Sequence, residues 1–77
     1  MKTKYKYIHF ADSYETHEGK PIWYCHNNRS GDILGQVFYY PLWKQYCFSA
    51  EDDMCVFSAD CLADIQHFLG QFNRGER

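Results

Sequence analysis

Two spacings of apolar residues divide the chain into a strand-rich first part and a helical last part. From Lys4 to Tyr40, aromatic and β-branched side chains alternate with polar ones, which is typical of β-strands. After Ser58 the apolar residues follow the three- and four-residue steps of one helical stripe: Cys61, Leu62, Ile65, Phe68, Leu69 and Phe72. Ser58 is a preferred N-cap residue, and Asp60 places a carboxylate in the first turn, where it favours the helix dipole. The pattern therefore predicts several strands followed by one helix.

Turn-forming residues and a proline delimit the strands. The predicted strands are Lys4–Ala11, Ile22–Asn27, Ile33–Tyr40 and Tyr46–Ala50, with Met54–Phe57 as a fifth short strand or an extended lead-in. Between them lie a polar loop at 12–21, the turn NNRSGD at 27–32 and a corner at 41–45, where Pro41 ends the preceding strand. We predict an α+β fold, an antiparallel meander of three to five strands with one C-terminal helix packed on one face. Residues 1–77 form a single domain, of which 73–77 is a frayed tail.

Alternation along the strands separates a core face from a face that one helix cannot cover. Trp23, Cys25, Val37 and Tyr39 are assigned to the core face, which sends to the opposite face Tyr24, His26, Gln36, Phe38 and Tyr40. Exposed rings on a sheet can bury a partner's apolar side chains, seal a homodimer or stack with bases. The alternative is that long loops fold over these rings as a satellite cluster.

The corner adds a tryptophan and a cation to this candidate surface. Trp43 belongs to a residue type that is enriched at interfaces, although a corner tryptophan also serves to plug the end of a small sheet. Lys44 and Arg29 are the cations expected near it. The candidate binding residues are therefore Tyr24, Arg29, Phe38, Tyr40, Trp43 and Lys44.

Composition and charge narrow the classes of function. A chain of 77 residues holds one core, and its 19% aromatic content compensates for the small volume because aromatic rings bury a large area each. The formal net charge of −2 disfavours a protein that holds nucleic acid by phosphate neutralisation. MKTKYKYIHFA at 1–11 has no apolar signal segment, and no apolar run is long enough to span a membrane. We therefore expect a cytoplasmic protein with free thiols.

Motifs for catalysis and for metal binding are missing from the sequence. The four cysteines contain no C-x-x-C pair, so no metal site is predicted. Cys25 and its neighbour His26 point to opposite faces of a strand, and six helical positions separate the directions of Cys61 and His67 by about 240°. Neither pair forms a catalytic dyad, and the acidic triplet at 51–53 lacks the spacing of a calcium loop. We expect no enzymatic activity and no cofactor.

Three segments resemble a group of short, uncharacterised bacterial and phage-type proteins. They read WYCHNNRSGDILG at 23–35, YPLWKQYCF at 40–48 and VFSADCLADI at 56–65, and the similarity covers residues 22–72. The resemblance implies a prokaryotic or phage setting and carries no activity with it. In architecture alone, three strands followed by a helix also resemble the arm-site DNA-binding domain of tyrosine recombinases, and the net acidity of this chain weighs against that comparison.

These observations favour a small, non-enzymatic binding module. The expected partner is a protein, bound through the aromatic sheet face as by an adaptor or a phage-encoded inhibitor, or a second copy of the chain in a homodimer. The alternative is a nucleic-acid-binding module of the three-strands-plus-helix type, with bases stacked on Tyr24, Phe38 and Tyr40. A third hypothesis is a small metal- or thiol-dependent protein.

Overall fold

The computed structural model describes residues 1–74, which form one antiparallel sheet and one helix. The strands are β1 (Ile8–His17), β2 (Lys20–Asn27), β3 (Ile33–Tyr40) and β4 (Gln45–Ala50), and they lie in the sheet in the order of the chain. The helix, α1 (Ala59–Asn73), packs on one face of the sheet. This architecture confirms the predicted α+β meander with a C-terminal helix. Within residues 1–74 no helix is long and apolar enough to cross a membrane.

The first hairpin is longer than the sequence predicts. β1 begins at Ile8 rather than Lys4, and it continues to His17 through the segment 12–21 that was expected to be a loop. Glu18 and Gly19 join it to β2, and their φ angles of 55° and 77° are the two positive values of a type I′ turn. The loop prediction is wrong because this end of the hairpin lies outside the core. Both faces carry exposed side chains there, so alternation gives no signal.

Residues 1–7 fold back along the outer edge of β1 instead of forming its first half. The Tyr5 amide donates to the Ile8 carbonyl at 2.9 Å, and the Phe10 amide donates to the Thr3 carbonyl at 2.8 Å. The side-chain amide of Asn28 holds this segment from the other side by donating to the Tyr5 carbonyl at 2.9 Å. The segment therefore covers part of an edge that would otherwise offer unpaired backbone groups.

The two later connections agree with their predicted turn chemistry. In the turn between β2 and β3, the Asn27 side-chain oxygen accepts from the amides of Arg29 and Ser30 at 2.8 and 3.3 Å, and Gly31 takes a φ of 80°. β3 ends at Tyr40 as predicted, and β4 begins one residue earlier than expected, at Gln45. Met54–Phe57 is not a fifth strand, which leaves the lead-in interpretation; Met54 and Val56 are exposed, and only Phe57 packs, edge-on, against Phe48.

The core lies between the helix and one face of the sheet. Its buried members are Ile8, Phe10, Cys25, Val37, Ile65 and Phe68. Phe68 of α1 stacks on Phe10 of β1 with ring centroids 3.9 Å apart, and its edge meets Trp23 of β2 at 5.5 Å. Ser58 is the N-cap as predicted, since its hydroxyl accepts from the Cys61 amide at 3.1 Å. One helical stripe thus buries one face of three strands.

Two carboxamides near the end of α1 attach the helix to both sides of the sheet. Asn73 accepts from the Tyr46 amide at 2.8 Å and donates to the Tyr46 carbonyl at 3.1 Å, on β4. Gln71 makes the same pair of bonds to Lys2, at 2.6 and 2.8 Å. The helix therefore includes Asn73, the first residue of the predicted tail at 73–77, and residues 75–77 lie outside the described residues.

Candidate functional site

The sheet face opposite α1, which we call the open face, carries the rings that alternation assigns to it. Cys25 and Val37 have no exposed surface on the helix side. Their neighbours along the strands, Tyr24, Phe38 and Tyr40, are half-buried on the other side. Because α1 is the only helix within residues 1–74 and lies on the core face, no helix among them covers these rings.

Four rings form a continuous line across the lower part of this face, which we call the aromatic row: His17, Phe38, Tyr40 and Trp43. His17 meets Phe38 at 5.6 Å, Phe38 meets Tyr40 at 6.3 Å, and Tyr40 meets Trp43 at 5.1 Å between centroids. The interplanar angles are 85°, 88° and 85°, so every contact is edge to face. Such contacts stabilise one relative orientation of the rings, and the row is therefore organised before any partner arrives.

The corner between β3 and β4 presents the end of the row to solvent. Trp43 is 66% exposed and Leu42 is 78% exposed, so Trp43 does not plug the end of the sheet. The Trp43 amide donates to the Tyr40 carbonyl at 3.2 Å, and Lys44 reverses the chain with a φ of 54°. The corner thus places two large exposed apolar side chains next to each other in the chain.

The predicted cations do not gather at one place. Lys44 lies at the corner, whereas Arg29 lies in the turn between β2 and β3, at the opposite end of the sheet. The second cation near the corner is Lys20, whose ammonium lies 5.1 Å from the centre of the Tyr39 ring. Lys20, Tyr39, Trp43 and Lys44 share the walls of a hollow of about 780 Å³ with Gln45, Tyr46, Phe72 and Asn73. The hollow therefore lies between the corner and the end of α1, on the helix side of the sheet.

Sequence reasoning missed the placement of two exposed residues of β1, one of which belongs to the aromatic row. His17 belongs to the aromatic row, but the segment 12–21 was interpreted as a loop and so its residues had no face. Tyr14 is 91% exposed because a bulge after Asp12 gives it a φ of 62°. The signal for His17 was the pair Glu18-Gly19, since a glycine two residues before Pro21 admits a hairpin turn.

Tyr24 belongs to a second group of rings on the open face rather than to the row. Its ring meets His26 edge to face at 6.5 Å, and His26 stacks on His9 of β1 at 5.1 Å with an angle of 9°. His9 and His26 are directly opposite each other in the register of β1 and β2. The six predicted binding residues therefore lie in three places. Phe38, Tyr40, Trp43 and Lys44 belong to the row and its corner, Tyr24 lies beside His9 and His26, and Arg29 lies in the turn between β2 and β3.

The structure does not place the Cys25 thiol beside a histidine, as a catalytic thiol–imidazole pair would require. Cys25 is in the core, while His26 is on the open face. Burial, with a further contribution from the neighbouring Cys61 and Cys55, raises the pKa of the Cys25 thiol to about 12 and keeps it protonated. His67 of α1 shares a hydrogen bond of 2.8 Å with the Tyr5 hydroxyl. Within residues 1–74, no three His, Cys, Asp or Glu side chains are grouped to hold a metal ion.

In comparisons with known proteins, no family model, curated protein or solved structure matches the chain.

Proposed function

We propose that this protein is a small, non-enzymatic binding module that docks a protein partner on the aromatic row and its corner. The observation that carries the proposal is a line of four rings on a sheet face from which the helix is absent, ending in an exposed Trp43. Such a preorganised aromatic surface can bury a partner's apolar side chains with little loss of rotamer entropy. An adaptor or an inhibitor acts in this way, by occupying a surface of its partner.

The orientation of the rings favours a protein partner over nucleic acid. Base stacking needs a free ring face, and each edge-to-face contact in the row covers one face of one of its two rings. Ser49 and Gln36 lie opposite each other in the register beside the row, where a phosphate backbone would call for cations. Lys2 and Lys6 lie over the rings of Tyr5 and Tyr7 near the N-terminus, which leaves Lys20 and Lys44 as the cations near the corner.

The corner provides the anchor of the proposed interface. Trp43 and Leu42 project from a turn, and Tyr40 supports the Trp43 ring at 5.1 Å. Large anchors of this kind, surrounded by half-buried neighbours that exclude water, carry most of the free energy in many interfaces. Truncating Trp43 should therefore weaken binding more than truncating Phe38, which is half-buried beneath its neighbours.

Affinity capture followed by a titration tests the proposal. The tagged protein is incubated with bacterial lysate, since the resemblance to bacterial and phage-type proteins implies that setting, and proteins that bind at stoichiometric levels are identified. Each is then purified and titrated against the native protein, Trp43→Ala and Phe38→Ser/Tyr40→Ser. We expect Trp43→Ala to weaken binding by at least about tenfold, which corresponds to ~1.4 kcal/mol.

The control is Leu62→Ser on the helix, which removes an exposed apolar side chain from a different surface. It should bind like the native protein. Loss of binding in Leu62→Ser alone, or equal binding by all variants, would move the site away from the row. Light scattering and salt-titrated binding to single-stranded DNA and RNA complete the test; a homodimer sealed by the row, or nucleic-acid binding that Phe38→Ser/Tyr40→Ser abolishes, would replace the protein partner.

A further inference from the structure

His9 and His26 form a pair of imidazoles whose geometry the proposed interface does not use. They face each other across β1 and β2 on the open face, with parallel rings 5.1 Å apart. Both rings are half-buried and therefore partly accessible to solvent. We propose that these two side chains form a binding site for a late first-row transition metal ion, namely Zn²⁺, Ni²⁺ or Cu²⁺.

The hydrogen bonds of the two rings determine which nitrogen is free. The Nδ1 atom of His26 lies 3.0 Å from the Gly31 carbonyl, which can only accept, so this nitrogen donates. The Nδ1 atom of His9 lies 2.7 Å from Oδ1 of Asn28. Because the nitrogen of the same amide donates to the Tyr5 carbonyl at 2.9 Å, Oδ1 is the acceptor and His9 Nδ1 also donates.

Each neutral ring therefore carries its lone pair on Nε2. An imidazole that gives its other N–H to a carbonyl or amide oxygen is the usual form of a metal-binding histidine, because that bond determines the tautomer and the ring orientation. Neutral imidazole nitrogen is a preferred ligand of zinc, nickel and copper, and magnesium and calcium prefer oxygen. The chemistry of the pair thus selects the class of metal.

Chelation requires a change in the side-chain torsion angles of both histidines. In parallel rings the two Nε2 lone pairs point in the same direction, whereas a bound ion lies ~2.0–2.1 Å from each nitrogen. Convergence of the two Nε2 atoms therefore requires rotation about both the Cα–Cβ and the Cβ–Cγ bonds, and the Nδ1 hydrogen bonds to Asn28 and Gly31 must adjust with it. The remaining coordination positions are left to water or to a carboxylate of a partner.

Nickel titration followed by NMR tests this site on the intact protein. Paramagnetic Ni²⁺ at substoichiometric amounts should broaden the ring resonances of His9 and His26 and leave those of His17 and His67 sharp. His17 is the matched control because it is also exposed on the open face but packs against Phe38 instead of a second imidazole. Equal broadening of all four rings, or of none, would refute the pair as a site.

Calorimetry with the variants gives an independent measurement. We expect one saturable Ni²⁺ or Cu²⁺ site in the native protein, with Cu²⁺ tighter, and loss of that site in both His9→Gln and His26→Gln but not in His17→Gln. Mg²⁺ should not bind. Metal binding that survives in His9→Gln and His26→Gln would assign it to other groups, such as the part-exposed thiols of Cys47 and Cys55, and would overturn the proposal. The result is independent of the aromatic row, because none of the row variants changes either ligand.

Discussion

Gly35 is the residue at which the sheet tolerates the least change. It is buried in β3 beside β4, and a Cβ built on it would lie 2.5 Å from the Ser49 carbonyl oxygen and against the Phe48 ring. The carbonyl belongs to a strand that is hydrogen-bonded to β3, so it cannot move away without breaking the ladder. The absence of a side chain at this position is therefore a packing requirement.

Gly35→Ala should lower the free energy of unfolding by about 1–3 kcal/mol, because overpacking forces the backbone of β4 to shift. Urea unfolding followed by far-UV circular dichroism measures the loss. Gly70→Ala is the control: the atoms nearest its new Cβ belong to the flexible Arg74 guanidinium. This helical position should gain up to ~1 kcal/mol. Equal losses in the two variants would contradict the packing explanation.

The buried Cys25 thiol should make the fold less stable at alkaline pH. Burial first, then Cys61 and Cys55, raises the pKa of its thiol from 9.0 to about 12. Below pH 9.0 the thiol is protonated in both states and its contribution is fully present. Between 9.0 and about 12 only the unfolded chain loses the proton, so the free energy of unfolding falls as pH rises, by up to ~1.4 kcal/mol per pH unit.

Urea unfolding at about pH 8, 9 and 10 should show this decline in the native protein. Cys25→Ala should be less stable at pH 8 and show a smaller slope between 9 and 10, since the buried thiol is gone. The tyrosines Tyr5 and Tyr46, whose pKa values burial also raises, keep part of the slope above pH 10. An unchanged slope in Cys25→Ala would show that the thiol does not contribute.

At the scale of elements, the helix is attached to the sheet by more than its apolar stripe. Gln71 and Asn73 each bond to both the amide and the carbonyl of one residue, Lys2 and Tyr46 respectively, as the backbone of a neighbouring strand would. These bonds occupy backbone groups on the two outer sides of the sheet. Unpaired edges invite pairing with other chains, so the carboxamides also reduce edge-to-edge association.

Asn73→Ala should cost about 1–3 kcal/mol, because two hydrogen bonds of ~0.5–1.5 kcal/mol each are lost at the end of the helix. Asn73→Asp should be as unstable as Asn73→Ala, since a carboxylate accepts from the Tyr46 amide but repels the Tyr46 carbonyl. Gln66→Ala, an exposed position of the same helix, is the control and should change stability by no more than ~0.5 kcal/mol. Chemical denaturation of the three variants measures these changes in the free energy of unfolding. If Asn73→Asp were as stable as the native protein, the hydrogen bond donated by the Asn73 amide would not contribute.

The elements that the sequence predicts well are those with one buried face. β3 has the predicted bounds because its alternation places Val37 in the core and Phe38 outside. The predicted stripe of α1 is buried at Ile65 and Phe68, whereas Leu62, another of its members, is exposed. The end of β1 and its turn were missed because neither face is buried there. The alternation of apolar and polar residues indicates which side chains are buried. Where both faces of a strand are exposed, backbone hydrogen bonds hold the strands together, and the alternation does not predict them.

The candidate site was predictable only in its rings. Alternation alone places Phe38 and Tyr40 opposite the core, and the proline corner exposes Trp43. The partners His17 and His9 come from β1, whose pairing with β2 depends on a two-residue bulge at Ser13 and Tyr14. Two extra residues leave the alternation of β1 unchanged but shift which residues of β1 and β2 lie opposite each other, and this shift has no periodic trace, so these contacts required the structure.

At the scale of the whole molecule, the fold has a core on one side of a single sheet and an aromatic surface on the other. A domain of this length has a stability of only about 4–12 kcal/mol, so the two sides should respond very differently to truncation. Phe68→Ala removes a ring that contacts Phe10 and Trp23 in the core, and it should lower the free energy of unfolding by ~3–5 kcal/mol, a large share of that stability.

Phe38→Ser/Tyr40→Ser should behave differently, because the two half-buried rings contact their neighbours in the row and no core residue. We expect a cooperative thermal transition, a native far-UV spectrum and a decrease of no more than ~2 kcal/mol in the free energy of unfolding. Thermal melts of this variant and of Phe68→Ala, recorded side by side, make the comparison. If the row variant unfolded as readily as Phe68→Ala, the open face would be a second half of the core, and its rings would be needed for folding instead of for a partner.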